Sequence, residues 1–161
     1  MVAASIVFRR SNPSYANELP THARQLFEFG DKYRGKYDSS ITVAQKYYWS
    51  YSEYADELLW AAVWLYQAIN SQYYLSSLGK NGQSLGGTGW SMTELGWDAK
   101  YAGVQVLVAK MLMQGKVPAM LAADRVIHVF MLGGRVLETY RKLREIIFSA
   151  VSVQGAPSLH F

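Results

Sequence analysis

The sequence predicts an all-α protein of helical hairpins laid side by side, as in an α/α toroid. Three observations lead there. Apolar residues recur at helical spacing along most of the chain, with no convincing alternating strand series. Break and capping signals separate the periodic stretches at short intervals. Half of the 161 residues are apolar, enough for one soluble globular domain.

Taken in order, residues 2–10 form a short helical piece. The start, Met1-Val2-Ala3-Ala4-Ser5-Ile6-Val7-Phe8-Arg9-Arg10, does not read as a signal peptide. Its apolar run is short and its charges follow that run. It reads as the last turns of a helix that begins further upstream. Ser11-Asn12-Pro13-Ser14 is a break carrying a fresh N-cap signal. A helix follows from about Ser14 to Tyr33, with Ala16, Leu19, Ala23, Leu26 and Phe27 on one face. Pro20 should kink or split it. Residues 34–53 are polar and aromatic, a long excursion with one short helical turn at 42–46.

Tyr54 to Ile69 gives the clearest helix. Leu58, Ala61, Ala62, Leu65 and Ala68 mark its apolar stripe, with Trp60 and Trp64 beside it as core. Ser52 is placed to cap it, and Asp56 and Glu57 suit the positive end of its dipole. A short helix at Ser71–Leu78, a glycine-rich loop at Gly79–Gly89 and a long helix at Asp98–Gln114 follow. After Lys116 the texture changes. Residues 117–148 stay helix-compatible through Met120, Leu121, Val126, Val129, Phe130, Leu137, Leu143 and Ile147. They hold one Tyr and no Trp, whereas the first 116 residues hold 11 Tyr and all 5 Trp, so the two parts are read separately. Residues 149–161 read as a loose tail.

Composition excludes several classes. The net charge is +4, but no basic stripe interleaves with aromatics, which speaks against nucleic acid. There is no cysteine, so disulfides and thiolate metal sites are excluded. His22, His128 and His160 are far apart and lack metal-ligand spacing, so no metal or cofactor is expected. No run approaches 18 apolar residues, so no membrane span is expected.

The chemistry-bearing candidates cluster in two places. Gly86-Gly87-Thr88-Gly89-Trp90-Ser91-Met92-Thr93-Glu94-Leu95-Gly96-Trp97-Asp98 sets two tryptophans and a carboxylate beside a helix start. The loop lacks the Gly-Lys-Ser/Thr ending of a phosphate cradle, and no strand precedes it. Tyr47, Tyr48 and Tyr51 form the second cluster. For these aromatics, packing and ligand contact both stand open, because Tyr and Trp suit a partly wet, partly apolar surface. Asp98 is either a helix N-terminal carboxylate or an acceptor for sugar hydroxyls, and the two roles are compatible. Asp56-Glu57 is a tempting catalytic pair. Adjacent helical residues point about 100° apart, so the pair is rejected.

These residues carry a resemblance. Tyr54-Ala55-Asp56-Glu57-Leu58-Leu59-Trp60-Ala61-Ala62-Val63-Trp64-Leu65-Tyr66, with Gly86-Gly87-Thr88-Gly89-Trp90-Ser91-Met92 and Trp97-Asp98, resembles plant endo-β-1,4-glucanases of glycoside hydrolase family 9. Phe29, Asp31–Tyr37, Ile41–Gln45, Tyr101–Gln105 and Met113–Lys116 also fit, so the likeness runs from about Ala3 to Lys116. It implies part of an (α/α)6 barrel with an open aromatic cleft, and inverting hydrolysis of internal β-1,4-glucosidic bonds. By resemblance, Tyr47, Tyr48, Tyr51, Trp90 and Trp97 become cleft aromatics, with Asp98 a polar contact to β-1,4-glucan. Tyr51 stands where many relatives carry Trp. The family implies secretion to the plant cell wall.

The departures matter as much. The family's base lies in an Asp-Ala-Gly-Asp motif and its acid beyond a His-His-Arg segment, and this chain contains neither. No catalytic residue is therefore assigned, and the chain alone is expected to be inactive. Residues 1–116 read as a middle part of the catalytic domain, and 117–161 as a divergent tail. Glu138–Glu145, written as GAA ACA TAC AGA AAA CTC CGG GAG and read from the third base, gives Asn-Ile-Gln-Lys-Thr-Pro-Gly. That is close to the family's Asn-Val-Gln-Lys-Thr-Pro-Gly, so the tail reads as a shifted frame. The competing reading is a non-catalytic helical fragment that binds glucan or protein. A partial toroid leaves helix faces uncovered, which predicts association.

Overall fold

The computed structural model describes residues 1–87 and 95–117. The described residues are helical, with six α-helices and one 3-10 turn, and no strand occurs among them. The helices are α1 (Val2–Phe8), α2 (Pro13–Lys32), α3 (Tyr37–Ser40), α4 (Ala55–Ile69), α5 (Gln72–Asn81) and α6 (Tyr101–Met113); the 3-10 turn is Thr42–Lys46. Trp90, His128, His160 and the tail beyond Val117 lie outside the described residues.

α2 starts where the break predicts. Asn12 is its N-cap, its side chain accepting the Tyr15 N–H at 3.2 Å, and Pro13 opens the first turn. Proline suits that place because its absent N–H would be unpaired there anyway. Pro20 does not split the helix, which continues as one element to Lys32. Ala16, Leu19, Ala23 and Phe27 are buried as expected, but Leu26 is exposed. It borders an apolar groove of about 610 Å³ between α1, α2 and α4, lined also by Phe29, Tyr33, Tyr54, Trp60 and Trp64.

α4 is the hub, packing on α1, α2, α5 and α6. That position explains its nearly all-round apolar sequence. Leu59, Ala62, Val63, Leu65 and Tyr66 are buried, whereas Ala61 and Ala68 of the expected stripe are only half-buried. Each fully buried Leu or Val contributes about 1.5–3 kcal/mol. Trp60 and Trp64 meet edge to face at 5.8 Å and pack partly buried against this core. The helix ends at Asn70, whose left-handed backbone (φ 57°) closes an N–H bond to the Tyr66 carbonyl at 2.8 Å. Asn tolerates that conformation better than most residues.

α5 runs to Asn81, so Gly79 is helical and buried and the loop begins later than expected. Gly86 has φ 77°, a conformation that favours glycine. The Gln105 side chain of α6 donates to the Gly87 carbonyl at 2.8 Å, tying loop to helix. α6 lies close on α4. A Cβ at Gly103 would stand 2.6 Å from the Trp60 ring.

Candidate functional site

Residues 34–53 form the expected polar and aromatic excursion, but besides the turn at Thr42–Lys46 they hold the short helix α3, which the sequence pattern did not place, and they fold back tightly. The Tyr37 hydroxyl donates to the Tyr48 carbonyl. Asp38 is fully buried, accepting the Ser50 N–H at 3.3 Å and facing the Lys36 ammonium at 3.3 Å. Lys36 also sits 4.5 Å over the Trp49 ring, where the negative ring face attracts a cation. Glu53 takes a positive φ of 61°, and its carbonyl accepts the Ser50 hydroxyl.

The second cluster approaches from the start of α6. Asp98 does not open that helix, which begins at Tyr101. The backbone instead turns across the aromatic segment. The Asp98 carboxylate accepts the Tyr51 N–H at 2.9 Å, and its carbonyl accepts the Ser52 hydroxyl. Ser52 is therefore drawn away from capping α4, which has no side-chain cap. Tyr48 and Trp97 meet edge to face at 5.6 Å with rings at 90°. This arrangement sets the positive edge of one ring on the negative face of the other.

A cleft of about 300 Å³ lies where these pieces converge, lined by Tyr37, Ala44, Tyr48, Glu57, Trp97 and Asp98. Three of the six predicted contacts, Tyr48, Trp97 and Asp98, thus come together. Tyr47 and Tyr51 are strongly exposed beside the cleft without lining it, and Trp90 lies outside the described residues. Sequence reasoning missed Tyr37, Glu57 and Lys100 as parts of the site. Weighed with Asp56 as a catalytic pair, Glu57 is set aside because the two point apart; its place on the cleft alone is not foreseen.

Behind the cleft, Glu57 joins an ionic cluster with Asp56 and Lys100. Lys100 Nζ lies 2.8 Å from Glu57 Oε1 and 3.6 Å from Asp56 Oδ2, and donates to the Trp97 carbonyl at 2.6 Å. The Lys100 N–H donates to Asp56 Oδ2 at 2.8 Å, so Asp56, in the first turn of α4 as expected, also joins that helix to the start of α6. Asp56 is fully buried, while Glu57 faces the cleft, as the 100° separation requires. Burial and the adjacent Asp56 carboxyl push Glu57 up to about 7, against the opposing pull of Lys100. Part of the Glu57 side chain is exposed, but its Oε2 atom is shut off from solvent and has no partner. Burial, reinforced by Asp56, Glu57 and Asp98, pushes the Tyr101 hydroxyl up to about 12. The cleft offers aromatic faces and edges and the carboxylates of Glu57 and Asp98, with the Lys100 ammonium behind Glu57. That inventory suits stacking on a sugar ring and bonding its hydroxyls.

The family model described as glycosyl hydrolase family 9 matches residues 1–150. The chain is 79% identical over 116 residues to Endoglucanase 19 of Arabidopsis thaliana, which covers 72% of this chain and 18% of that protein. It is 53% identical over 145 residues to Endoglucanase 22 of Oryza sativa subsp. japonica, 90% of this chain and 24% of that protein. Among solved structures, the endoglucanase of the termite Nasutitermes takasagoensis at pH 2.5 superposes with a TM-score of 0.65 at 49% identity, covering 71% of this chain and 26% of the other. The chain therefore spans about a fifth of the length of the curated relatives it matches.

Proposed function

This chain belongs to glycosyl hydrolase family 9, and from that premise we propose that its 161 residues bind β-1,4-glucan through the aromatic cleft without cleaving it alone. The reaction of the larger enzyme is inverting hydrolysis of internal β-1,4-glucosidic bonds, which takes an acid and a base on opposite faces of the sugar. The motifs that carry that pair are absent from this sequence. One observation carries the binding reading. Tyr48 and Trp97, 49 positions apart in sequence, form a 90° pair on a cleft that also holds two carboxylates. Tyr47 and Tyr51, exposed close to Tyr48 in the chain, extend the sugar contact beyond it, and Trp90 is kept as a contact on the family likeness alone. The setting we propose is the cell wall or extracellular space, where the family's glucan lies.

Affinity electrophoresis in a gel containing soluble β-1,4-glucan tests this. The chain should be retarded, Trp97→Ala should remove most of the retardation, and a soluble cellulose derivative should not be turned over. Retardation unchanged in Trp97→Ala would refute the cleft as the binding surface. Turnover at a rate typical of an endoglucanase would refute the inactivity.

We also propose that residues 117–161 are family coding sequence read in a shifted frame, on the strength of the Glu138–Glu145 back-translation. A nucleotide sequence whose shifted frame does not restore family residues after Lys116 disproves it.

A further inference from the structure

Three consecutive residues grip one side of the cleft. Lys36 holds the Trp49 ring through its ammonium at 4.5 Å. Tyr37 holds the Tyr48 carbonyl through its hydroxyl. Asp38 holds both ends of the segment. Its carbonyl accepts the Gln45 side-chain N–H at 3.0 Å, and its carboxylate accepts the Ser50 N–H at 3.3 Å. Tyr47, Tyr48 and Trp49 thus sit between Gln45 and Ser50, both fixed by this stretch of three residues. Tyr47, Tyr48, Trp49 and Tyr51 are themselves largely exposed, so burial does little to hold this segment in place. Exposed aromatic loops without such ties sample many conformations, and each ordered residue costs about 1–2 kcal/mol of backbone entropy.

We propose that Lys36-Tyr37-Asp38 is a clamp that positions the aromatic wall for glucan, with Asp38 its central positioning residue. This rests on the glucan-binding reading above. Asp38 is suited to the part because its carboxylate is fully buried and Lys36 is the cation facing it. A buried carboxylate favours the one arrangement in which its partners are supplied, since any opening that strands it is penalised. The Asp38 Oδ1 atom is buried without a partner, so the carboxylate depends on the Ser50 and Lys36 contacts made by Oδ2. The far end of the segment is secured separately, by the Tyr51 N–H on Asp98 and the Ser50 hydroxyl on Glu53. The clamp therefore sets Tyr48 against Trp97 from one side while Asp98 does so from the other.

The test compares Asp38→Ala, Asp38→Asn and Lys36→Met with wild type. Amide hydrogen exchange is followed by peptide, and glucan affinity by electrophoresis in soluble β-1,4-glucan. Asp38→Ala should speed exchange in residues 45–51, leave α4 and α6 unchanged, and weaken glucan binding roughly three- to tenfold. Asp38→Asn keeps an acceptor for the Ser50 N–H and should restore much of both. Lys36→Met keeps the stem but not the charge; it should speed exchange around Trp49 and weaken binding less than Asp38→Ala. If Asp38→Ala unfolds the chain, Lys36→Met and Asp38→Asn carry the test. Unchanged exchange in residues 45–51, or faster exchange with undiminished binding, overturns the clamp. If wild type itself is not retarded, the glucan-binding reading fails, and the exchange data report that failure separately from the clamp.

Discussion

Gly103→Ala puts the α4–α6 contact under strain. A Cβ at this position would lie 2.6 Å from one Trp60 ring carbon, 3.2 Å from another and 3.1 Å from Leu95. The first of these distances falls short of ordinary van der Waals contact by roughly 1 Å, so a neighbour must move. The Trp60 ring is held on one side by Trp64 at 5.8 Å, but it also borders the open groove and has somewhere to go. Overpacking of this kind costs about 1–3 kcal/mol. Replacing glycine by alanine in a helix returns up to about 1 kcal/mol of backbone propensity. With the Cβ only 2.6 Å from a ring carbon, the cost falls in the upper part of that range, and the expected net loss is about 1–2 kcal/mol. Gly103→Val adds bulk with less propensity gain and should lose more. Urea unfolding followed by far-ultraviolet circular dichroism reads the difference. Gly103→Ala as stable as wild type would refute the close approach as the constraint on this residue. Because Leu95 shares the contact and lies two residues from Trp97, the same variant should also disturb the cleft.

Two further outcomes follow from the ionic cluster. Asp56→Ala removes the acceptor of the Lys100 N–H and one partner of its ammonium in a fully buried place, and should cost about 2–4 kcal/mol in urea unfolding. Asp56→Asn keeps an acceptor and should lose less; an alanine variant within about 0.5 kcal/mol of wild type contradicts the assignment. Glu57 gives a pH dependence. Its carboxyl is raised from 4.5 to about 7, so within that window the folded chain holds a proton the unfolded chain has released. Stability contributed at low pH is therefore lost as pH rises towards 7, by about 1 kcal/mol once solvent screening of the part-exposed side chain is allowed for. Thermal unfolding at pH 5 and pH 8 should differ by less in Glu57→Gln; an unchanged difference rejects Glu57 as its source.

The helices were legible because their signals are local. Asn12-Pro13 announces the start of α2, and the dense apolar pattern of residues 55–69 announces α4. The site was half legible. Tyr48, Trp97 and Asp98 stood out as residue types in unusual company, and they do meet. The capping role of Ser52 and the helix-opening place of Asp98 were misread, because helix-terminus rules describe an isolated helix. The bond between the Ser52 hydroxyl and the Asp98 carbonyl crosses 46 positions, and no local rule anticipates it. Leu26 was misplaced for a similar reason. Its spacing puts it with the buried face of α2, but the groove leaves that edge uncovered.

By itself the sequence determined an all-α chain, the order of its longer helices but not the short α3, the aromatic segments and the likeness to a family of glucanases, since composition, periodicity and motif are properties of neighbours in the chain. Only the tertiary structure decided which carboxylate does what. Asp56 and Glu57 are adjacent in sequence and chemically similar. One is buried against the start of α6 and the other is raised towards neutrality at the cleft, because a helix turns about 100° between them and α6 covers one direction only. It also decided that Lys36, Tyr37 and Asp38 hold the aromatic wall. Hydrogen bonding and burial act between groups that folding brings together, and their positions along the chain do not reveal that.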